Sequence, residues 1–216
     1  MASLFSGKDV KFKSILDIEC FEIEEKKITC IVGESGGGKT TFLKLFNKMI
    51  SPTSGEVYYY DTPLSKIDSV SHRKKVVMLS QKPYIFEKTI LDNFKKLTEF
   101  NDLELDLEKA KKLLKDVSLK KELEVDASKL SGGEAQRLAL ARAMYLDSDV
   151  ILLDEPSSAL DDETEKIVIE MICNYVKENS KSLIMVTHSK KVAKTYADII
   201  YTIDKGKIKE FNQIWL

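Results

Sequence analysis

A glycine-rich stretch between residues 33 and 40 constrains the fold of this chain more than any other feature. In order, it contains Gly33, Glu34, Ser35, Gly36, Gly37, Gly38, Lys39 and Thr40. The run at 28–32 before it is short, apolar and rich in β-branched residues, which is typical of a buried strand. The run at 41–50 after it carries apolar residues at helical spacing. Strand, glycine-rich loop and helix therefore occur in the order that a phosphate-binding loop requires.

The chemistry of such a loop follows from its backbone. Glycines allow the chain to curl so that several N–H groups point inward at phosphate oxygens, and the positive end of the following helix strengthens this attraction. We expect Lys39 to reach the terminal phosphates and the Thr40 hydroxyl to hold Mg²⁺. The stretch therefore predicts a nucleotide-binding protein that uses Mg²⁺.

Two acidic residues follow a second apolar strand. Asp154 and Glu155 come directly after the run at 150–153. In a parallel sheet, ligands bind beyond the carboxyl ends of the strands, so both acids should face the same crevice as the phosphate loop. Asp154 is then placed to orient Mg²⁺ or its water, and Glu155 to polarise a water that attacks the γ-phosphate. The alternative is an acidic pair that caps a helix after a core strand.

A further stretch offers a second phosphate-binding device. Ser131, Gly132 and Gly133 precede a predicted helix at 135–144, so a hydroxyl and glycine N–H groups meet at a helix N-terminus. An ordinary capped helix would also satisfy this pattern, because Glu134 follows Ser131 by three residues as in a capping box. A chain that binds one nucleotide rarely needs two phosphate-binding sites of this kind.

Because of these motifs, the chain resembles an ATP-binding-cassette (ABC) ATPase subunit of a membrane transporter. The resemblance covers nearly the whole chain. The family's motifs occur in order: Walker A at 33–40, the Q-loop glutamine Gln81, the signature motif at 130–137, Walker B at 150–155, the D-loop at 158–161 and the switch histidine His188. Departures such as Gly37, where Ser, Cys or Ala is more usual, remove no functional group.

The resemblance implies how these motifs work together. ATP and Mg²⁺ would be the cofactors, and two copies of the cassette would pair head to tail. Walker A of one copy and the signature motif of the other would then enclose each ATP. Glu155 would activate water, His188 would bridge to the γ-phosphate, and Gln81 would sense that phosphate and couple it to a partner.

The resemblance also groups the site residues. The implied catalytic residues are Lys39, Gln81, Glu155 and His188, and the implied metal ligands are Thr40, Gln81 and Asp154. The implied nucleotide-binding residues are Gly33, Glu34, Ser35, Gly36, Gly37, Gly38, Lys39, Thr40, Thr41, Ser131, Gly132, Gly133, Glu134 and Asp161.

Strand and helix signals alternate along the chain and predict the α/β class. Residues 1–27 alternate charged and apolar positions, as half-exposed strands do, whereas 89–129 lose strand signals and become helical. By resemblance, we expect a P-loop NTPase with a RecA-like, mostly parallel sheet. An N-terminal antiparallel β subdomain and a helical subdomain inserted at about 84–135 would complete a single domain over 1–216.

Composition supports a globular protein of the cytosol. The chain is 43% hydrophobic and 32% charged, with a formal net charge of -1, which gives no argument for a nucleic-acid partner. Its three cysteines are isolated, so neither a disulfide framework nor a zinc site is expected. No apolar signal core or membrane span is visible. By resemblance, the chain would sit on the inner face of the cell membrane, held there by a transmembrane permease subunit.

Two other functions compete with the transporter hypothesis. A soluble cassette in DNA repair or translation shares all these motifs. However, chromosome-type cassettes place a very long coiled coil between Walker A and the signature, and translation factors carry two cassettes per chain. A nucleotide-dependent kinase shares Walker A but has no use for the signature motif. The motifs themselves identify neither the cargo nor the direction of transport.

Two aromatic features lead to further expectations. The family normally stacks adenine on an aromatic residue upstream of Walker A, and Phe5 and Phe12 are the candidates here. After Gln81, the run Tyr84, Ile85 and Phe86 leads into the helical insert. An exposed run of this kind would mark a groove for the permease, whereas a buried one would pack the insert onto the sheet.

Overall fold

The computed structural model describes residues 2–86 and 88–213, which form two β-sheets and the helices that cover them. The strands are β1 Ser3–Phe12, β2 Leu16–Glu24, β3 Ile28–Val32, β4 Ser54–Tyr59, β5 Thr62–Pro63, β6 Val76–Leu79, β7 Val150–Asp154, β8 Ser182–Val186, β9 Ile199–Asp204 and β10 Lys207–Gln213. The helices are α1 Lys39–Phe46, α2 Ser69–Lys75, α3 Ile90–Asn101, α4 Leu107–Asp116, α5 Gly132–Tyr145, α6 Asp162–Glu178 and α7 Lys190–Tyr196. Two short 3-10 helices span Leu64–Lys66 and Ala127–Lys129.

The larger sheet positions the site. Its strand order is β10-β9-β3-β8-β7-β6, and every neighbouring pair is parallel except β9 and β10. All residues of β7 and β8 are buried, as the apolar runs predict for central strands covered on both faces. Because the parallel strands end at one edge, the loops after β3, β8, β7 and β6 lie side by side there.

The smaller sheet is antiparallel and packs on α1. Its order is β2-β1-β4-β5, which confirms the expected antiparallel N-terminal region. Phe5 of β1 and Phe42 and Phe46 of α1 are fully buried in the core between them. The α/β class with a mostly parallel sheet is likewise confirmed. This packing fixes α1, and with it the loop before α1, between the two sheets.

Helices occupy most of the chain between β6 and β7, as the loss of strand signals predicts. Ala110, Leu113 and Leu114 of α4 are buried against the core that α5 contributes to. Leu103, which lies in the stretch predicted to be helical at 89–129, is instead in the connection between α3 and α4 and is 46% exposed. The prediction is wrong there because Asp102 adopts a left-handed conformation (φ 55°) that ends α3. Of the described helices, α6 is the longest at 17 residues, and none is long and apolar enough to cross a membrane.

Helix α1 ends four residues before the predicted end at residue 50. Lys48 has a φ of 56°, and its N–H donates to the Leu45 carbonyl while the Met49 N–H donates to the Lys44 carbonyl. This is the Schellman arrangement, which stops a helix. The unpredicted helix α2 then holds this end, because His72 Nε2 lies 2.7 Å from the Phe46 carbonyl.

Candidate nucleotide site

The loop between β3 and α1 has a shape that only glycine permits at its start. Gly33 has a φ of 145°, and a Cβ there would lie 1.9 Å from the Ile203 carbonyl oxygen. Gly38 caps α1 in a left-handed conformation with a φ of 101° and provides no side-chain hydrogen bond. The first N–H groups of α1 are therefore left without a side-chain acceptor, as an anion-binding helix start requires. Ser35 and Gly36 are exposed at the tip of this loop.

Lys39 lies inside the loop. Its ammonium group donates to the carbonyl oxygens of Gly33 at 3.0 Å and Glu34 at 2.8 Å, and the residue is only 5% exposed. Burial lowers the pKa of Lys39, while the carboxylates of Glu155 and Asp154 oppose that shift. A desolvated cation beside two carboxylates is well placed to attract a further anion together with a metal ion.

Thr40 and Asp154 form a pair of oxygen donors next to Lys39. The Thr40 hydroxyl donates to Asp154 Oδ1 at 2.8 Å, and Asp154 is only 4% exposed at the end of β7. Burial raises the pKa of Asp154, while the hydrogen bond from Thr40 opposes that shift. A hydroxyl and one carboxylate fit Mg²⁺, which prefers oxygen ligands and is usually completed by phosphates and water.

Glu155 lies at the centre of three strand ends. Its carboxylate accepts a hydrogen bond from Gln81 Nε2 at 2.7 Å, after β6, and lies 2.6 Å from His188 Nε2, after β8. Glu155 itself adopts a left-handed conformation with a φ of 49°. The parallel sheet thus brings together Gln81, Glu155 and His188, which the sequence predicted separately.

A turn far along the sequence supports the phosphate loop, and the sequence analysis missed it. The Gly206 N–H, in the turn between β9 and β10, donates to the Gly37 carbonyl at 2.9 Å. The Gly206 carbonyl accepts from the Asp17 N–H, also at 2.9 Å. The Lys-Gly pair at 205–206, between two strand-like runs, is a turn signal, but nothing in the sequence shows what that turn contacts. The turn links the loop to the β1–β2 hairpin.

We expect Gly206→Ala to destabilise the fold and to weaken ATP binding. Gly206 has a φ of 76°, and a Cβ there would lie 2.1 Å from the Ile15 carbonyl oxygen. The expected loss in free energy of unfolding, measured by urea titration, is about 1–3 kcal/mol. For the unfolding measurement alone, Gly36→Ala is the matched control, because Gly36 also has a φ of 76° but no atom within 4 Å of the added Cβ. Equal losses in the two variants would show that the contact with Ile15 has no role.

The signature motif forms an exposed helix start. Ser131 caps α5: its hydroxyl accepts from the Glu134 N–H at 3.3 Å, and its own N–H donates to Glu134 Oε2 at 2.9 Å. Glu134 also pairs with Lys121 at 3.2 Å. A Cβ on Gly132 would meet only Ala159 Cβ, at 3.9 Å. Among the described residues, no hydrogen bond or ion pair joins 131–134 to the phosphate loop. The capping interpretation is therefore correct, and the helix start is also free to face outward.

Asp161 and Thr41, which were also predicted to bind the nucleotide, each lie at the start of a helix. Asp161 caps α6, where its carboxylate accepts from the N–H of Thr164 at 2.9 Å and from the hydroxyl of Thr164 at 2.8 Å. These bonds hold the pKa of Asp161 below its usual value. Thr41 lies partly buried in the first turn of α1. A contact of either side chain with the nucleotide stays a prediction.

The structure separates the two adenine-stacking candidates. Phe5 is fully buried, with its ring 4.9 Å from that of Phe46 and 5.2 Å from that of Tyr59, so the expectation for Phe5 is wrong. The alternating pattern of β1 did not reveal which face packs on α1. Phe12 is partly buried at the end of β1, and the Lys13 ammonium lies 5.4 Å from its ring centroid. Phe12 therefore stays as the candidate.

A groove of about 620 Å³ opens on the side of the sheet next to β6. We call it the β6 groove; its lining comprises Asn47, Met49, Val70, Arg73, Lys74, Val76, Val77, Met78, Leu79, Ser80, Pro83, Tyr84, Leu97, Phe100, Asn101, Ala139, Arg142, Ala143 and Leu146. Tyr84 is 72% exposed. Ile85 packs against the core and Phe86 is partly buried, so the expected exposure holds only for Tyr84.

Comparison with known proteins agrees with this geometry. The ABC transporter family model matches residues 17–158. ATP-binding protein HrtA of Staphylococcus aureus, named for hemin import, is 35% identical over 88% of this chain and 88% of its own length. The phosphate import ATP-binding protein PstB of Campylobacter jejuni is 33% identical over 98% of this chain and 88% of its own length.

Solved structures are similar over the whole fold. The ATP-binding cassette MJ0796, in a dimeric post-hydrolysis state bound to ADP and Pi, superposes with a TM-score of 0.87 at 26% identity. That match covers 98% of this chain and 99% of the MJ0796 chain. CbiO1 from Clostridium perfringens has the same fold, with a TM-score of 0.84 at 20% identity, over 99% of this chain and 89% of its own.

Proposed function

Because this chain belongs to the ABC transporter family and is an ATPase, we propose that it powers a membrane transporter through ATP-driven closure and opening of a dimer. The observation that carries the proposal is that one chain has two features, each of which would form half of an ATP site. One is the phosphate loop with its strand-end residues, and the other is the outward-facing start of α5. A protein that completed its site alone would need only the first.

The phosphate loop and its neighbours supply binding. The free N–H groups at the start of α1 and the ammonium of Lys39 would hold the phosphates. Thr40 and Asp154 would hold Mg²⁺. Gln81 would provide a third oxygen ligand once its hydrogen bond to Glu155 has broken. When bound, Mg²⁺ supplies positive charge that offsets the charge developing on the transferred phosphoryl group.

The strand-end residues supply the chemistry. Glu155 would accept a proton from the attacking water, and His188 would donate a hydrogen bond toward the γ-phosphate. In the structure Glu155 contacts both His188 and Gln81. Binding of ATP would therefore replace the contacts among Gln81, Glu155 and His188 with contacts to phosphate and water. Because Gln81 lies next to the β6 groove, it would transmit this change of contacts to a partner protein.

The second half-site would act on the ATP of another copy. Ser131 and Gly132 face outward from the start of α5, where backbone N–H groups and the helix dipole favour an anion. Each copy carries both halves, so two identical chains arranged head to tail would build two complete sites. The dimeric state of the similar MJ0796 cassette supports this arrangement.

We expect Gly132→Asp to abolish ATP-dependent dimerisation without harming the fold. The added Cβ would meet only Ala159 Cβ, at 3.9 Å, and an acidic residue at the first position of a helix is stabilising. In a closed dimer, however, its carboxylate would repel the γ-phosphate of the facing ATP. Light scattering would show no ATP-dependent increase in mass, while ATP affinity of the single subunit stays within about twofold. Loss of ATP binding by the single subunit would contradict this assignment.

Two observations support the proposal of a membrane partner: the names of the relatives that this chain resembles, and the β6 groove. HrtA and PstB are both named as import ATP-binding proteins, although their named cargoes differ. Their nearly equal identity to this chain supports the proposal that the partner subunit chooses the cargo. The groove lies beside Gln81 and presents exposed Tyr84, as a docking site for a permease segment would. Such docking would hold the chain at the inner face of the membrane.

Affinity purification from the native host tests the proposal against the soluble alternative. We expect the tagged chain, extracted in mild detergent, to bring down an integral membrane protein in stoichiometric amount and to hydrolyse ATP in that complex. Recovery of DNA-repair or ribosomal proteins in place of a membrane protein would favour the soluble cassette. The Gln81→Ala variant should retain the membrane partner but lose the effect of ATP on the complex.

A further inference from the structure

The turn that follows β7 holds Glu155 in an unfavourable backbone conformation. Glu155 has a φ of 49°, in the left-handed region that residues other than glycine adopt uncommonly. It also precedes Pro156, and a residue before proline favours extended conformations. Such a conformation persists only where the surrounding structure holds it. The contacts of this turn therefore help to decide where the Glu155 carboxylate lies.

Backbone hydrogen bonds give the turn its local shape. The Glu155 N–H donates to the Val186 carbonyl at the end of β8, at 3.0 Å. Within the turn, the Ser158 N–H donates to the Glu155 carbonyl at 3.2 Å, and the Leu160 N–H donates to the Ser157 carbonyl at 3.0 Å. The last two bonds join residues of the turn to one another, so they do not fix the turn against the rest of the chain.

A single side-chain hydrogen bond ties the turn to α6. The Ser157 hydroxyl donates to Glu165 Oε1 at 2.5 Å. Among the described residues, neither 156–160 nor Glu165 makes any other side-chain hydrogen bond. Ser157 and Glu165 are both partly buried, whereas the next two residues of the turn, 158 and 159, are exposed. The bond therefore holds the turn at its inner side, two residues after Glu155.

Helix α6 is a firm support for this bond. The Glu165 N–H donates to the Asp161 carbonyl at 2.8 Å, in the first turn of the helix. One turn further on, Val168 and Ile169 are each only 1% exposed, and Ile172 is fully buried. Packing of this kind fixes the helix, so the Glu165 carboxylate is an acceptor at a defined place.

We propose that Glu165 is a positioning residue for ATP hydrolysis, because it accepts the Ser157 hydrogen bond and so holds the turn that carries Glu155. The proposal rests on the role of Glu155 in the function proposed above. It requires an acceptor at position 165, not a negative charge, and a hydroxyl at position 157. Misplacement of a catalytic group by about 1 Å can cost about 10²-fold in rate.

Steady-state kinetics of variants at position 165 test the proposal. Glu165→Ala should lower kcat by about tenfold, equivalent to about 1.4 kcal/mol, while the KM for ATP stays within about twofold. Glu165→Gln should keep kcat within about twofold, because the amide oxygen still accepts a hydrogen bond. Glu163→Ala is the matched control, since it removes an exposed carboxylate from the same turn of α6. Equal losses in Glu165→Ala and Glu165→Gln, or in Glu165→Ala and Glu163→Ala, would overturn the proposal.

A double-mutant cycle tests the bond itself. Ser157→Ala should lower kcat as much as Glu165→Ala does, and the double variant should lose no more than either single variant. Ser157→Thr keeps the hydroxyl and should keep kcat within about twofold. Ser157→Ala also decides the question if Glu165→Ala does not fold. Losses that multiply in the double variant would show that the two side chains act separately, and would overturn the proposal.

The Glu155→Gln background shows whether Glu165 acts through Glu155. Adding Glu165→Ala there should leave the residual turnover, measured with radiolabelled ATP, and the ATP-dependent doubling of mass unchanged. A further tenfold loss of turnover would overturn the proposal. Loss of the dimer would also overturn it, because the turn would then act through the start of α5, where a Cβ on Gly133 would lie 3.2 Å from the Ala159 carbonyl oxygen.

Two single variants separate this inference from the proposed function. Full turnover in Glu155→Gln would overturn the role of Glu155 and this proposal with it. Loss of turnover in Glu155→Gln together with normal turnover in folded Glu165→Ala would overturn this proposal alone.

Discussion

Replacing Glu155 with glutamine should lower ATP turnover by about 10²–10⁴-fold while ATP binding stays within about threefold. The amide has the shape of the carboxylate and can keep a contact with Gln81, which lies 2.7 Å away in the structure. It cannot accept a proton from the attacking water. Turnover should be measured by phosphate release and affinity by a fluorescent ATP analogue, so that chemistry and binding are scored separately.

The same variant should trap the closed state. Without hydrolysis, ATP stays between the two copies, and light scattering should show a doubled mass in ATP and Mg²⁺ but not in ADP. Glu163→Gln is the matched control, because Glu163 is exposed in the first turn of α6, away from the strand ends. Normal hydrolysis by Glu155→Gln would mean that another group is the base and that Glu155 only holds Gln81 and His188 in place.

Replacing Lys39 with alanine should abolish turnover and weaken ATP binding by about tenfold or more. The ammonium lies inside the loop, where it donates to the carbonyl oxygens of Gly33 and Glu34, so alanine removes this cation from the place where the phosphates would bind. Its loss also removes a charge that lowers the pKa of Asp154. The Asp154 carboxyl would then hold a proton more readily, which weakens its interaction with Mg²⁺ as well.

The contrast between the two variants is the informative result. Glu155→Gln should bind ATP and dimerise, whereas Lys39→Ala should do neither at the same ATP concentration. Lys115→Ala, at an exposed position in the last turn of α4, controls for loss of one positive charge. If Lys39→Ala bound ATP with unchanged affinity, the phosphate contact would have to come from the backbone N–H groups alone.

The parts of this fold that could be predicted from the sequence are those with a local signal. The strands β3, β6, β7 and β8 are short apolar runs between turns, and parallel pairing follows from their alternation with helices. The gathering of Gln81, Glu155 and His188 follows in turn, because each is polar and comes within two residues of the end of such a strand. It was the resemblance to the family, and not the local pattern, that singled out Gln81 and His188 as site residues.

The parts that could not be predicted depend on distant contacts. Helices α2 and α7 have seven residues each, too few for a helical period to stand out against their many lysines. Phe5 and Phe12 both lie on β1, and only the position of α1 decides which of them is buried. The role of Gly206 likewise depends on a distant partner, because its N–H donates to the Gly37 carbonyl.

The position of β3 also determines when the protein can begin to work. This strand is made early, yet it pairs with β8 and β9, and the loop that follows it rests on Gly206. At translation rates of roughly 5–20 residues per second, about 9 to 35 s pass between synthesis of the loop and of that glycine. During this time β1, β2, β4 and β5 can close on one another, since they span only residues 3–63. The nascent chain therefore carries a complete Walker A sequence long before it has a nucleotide site.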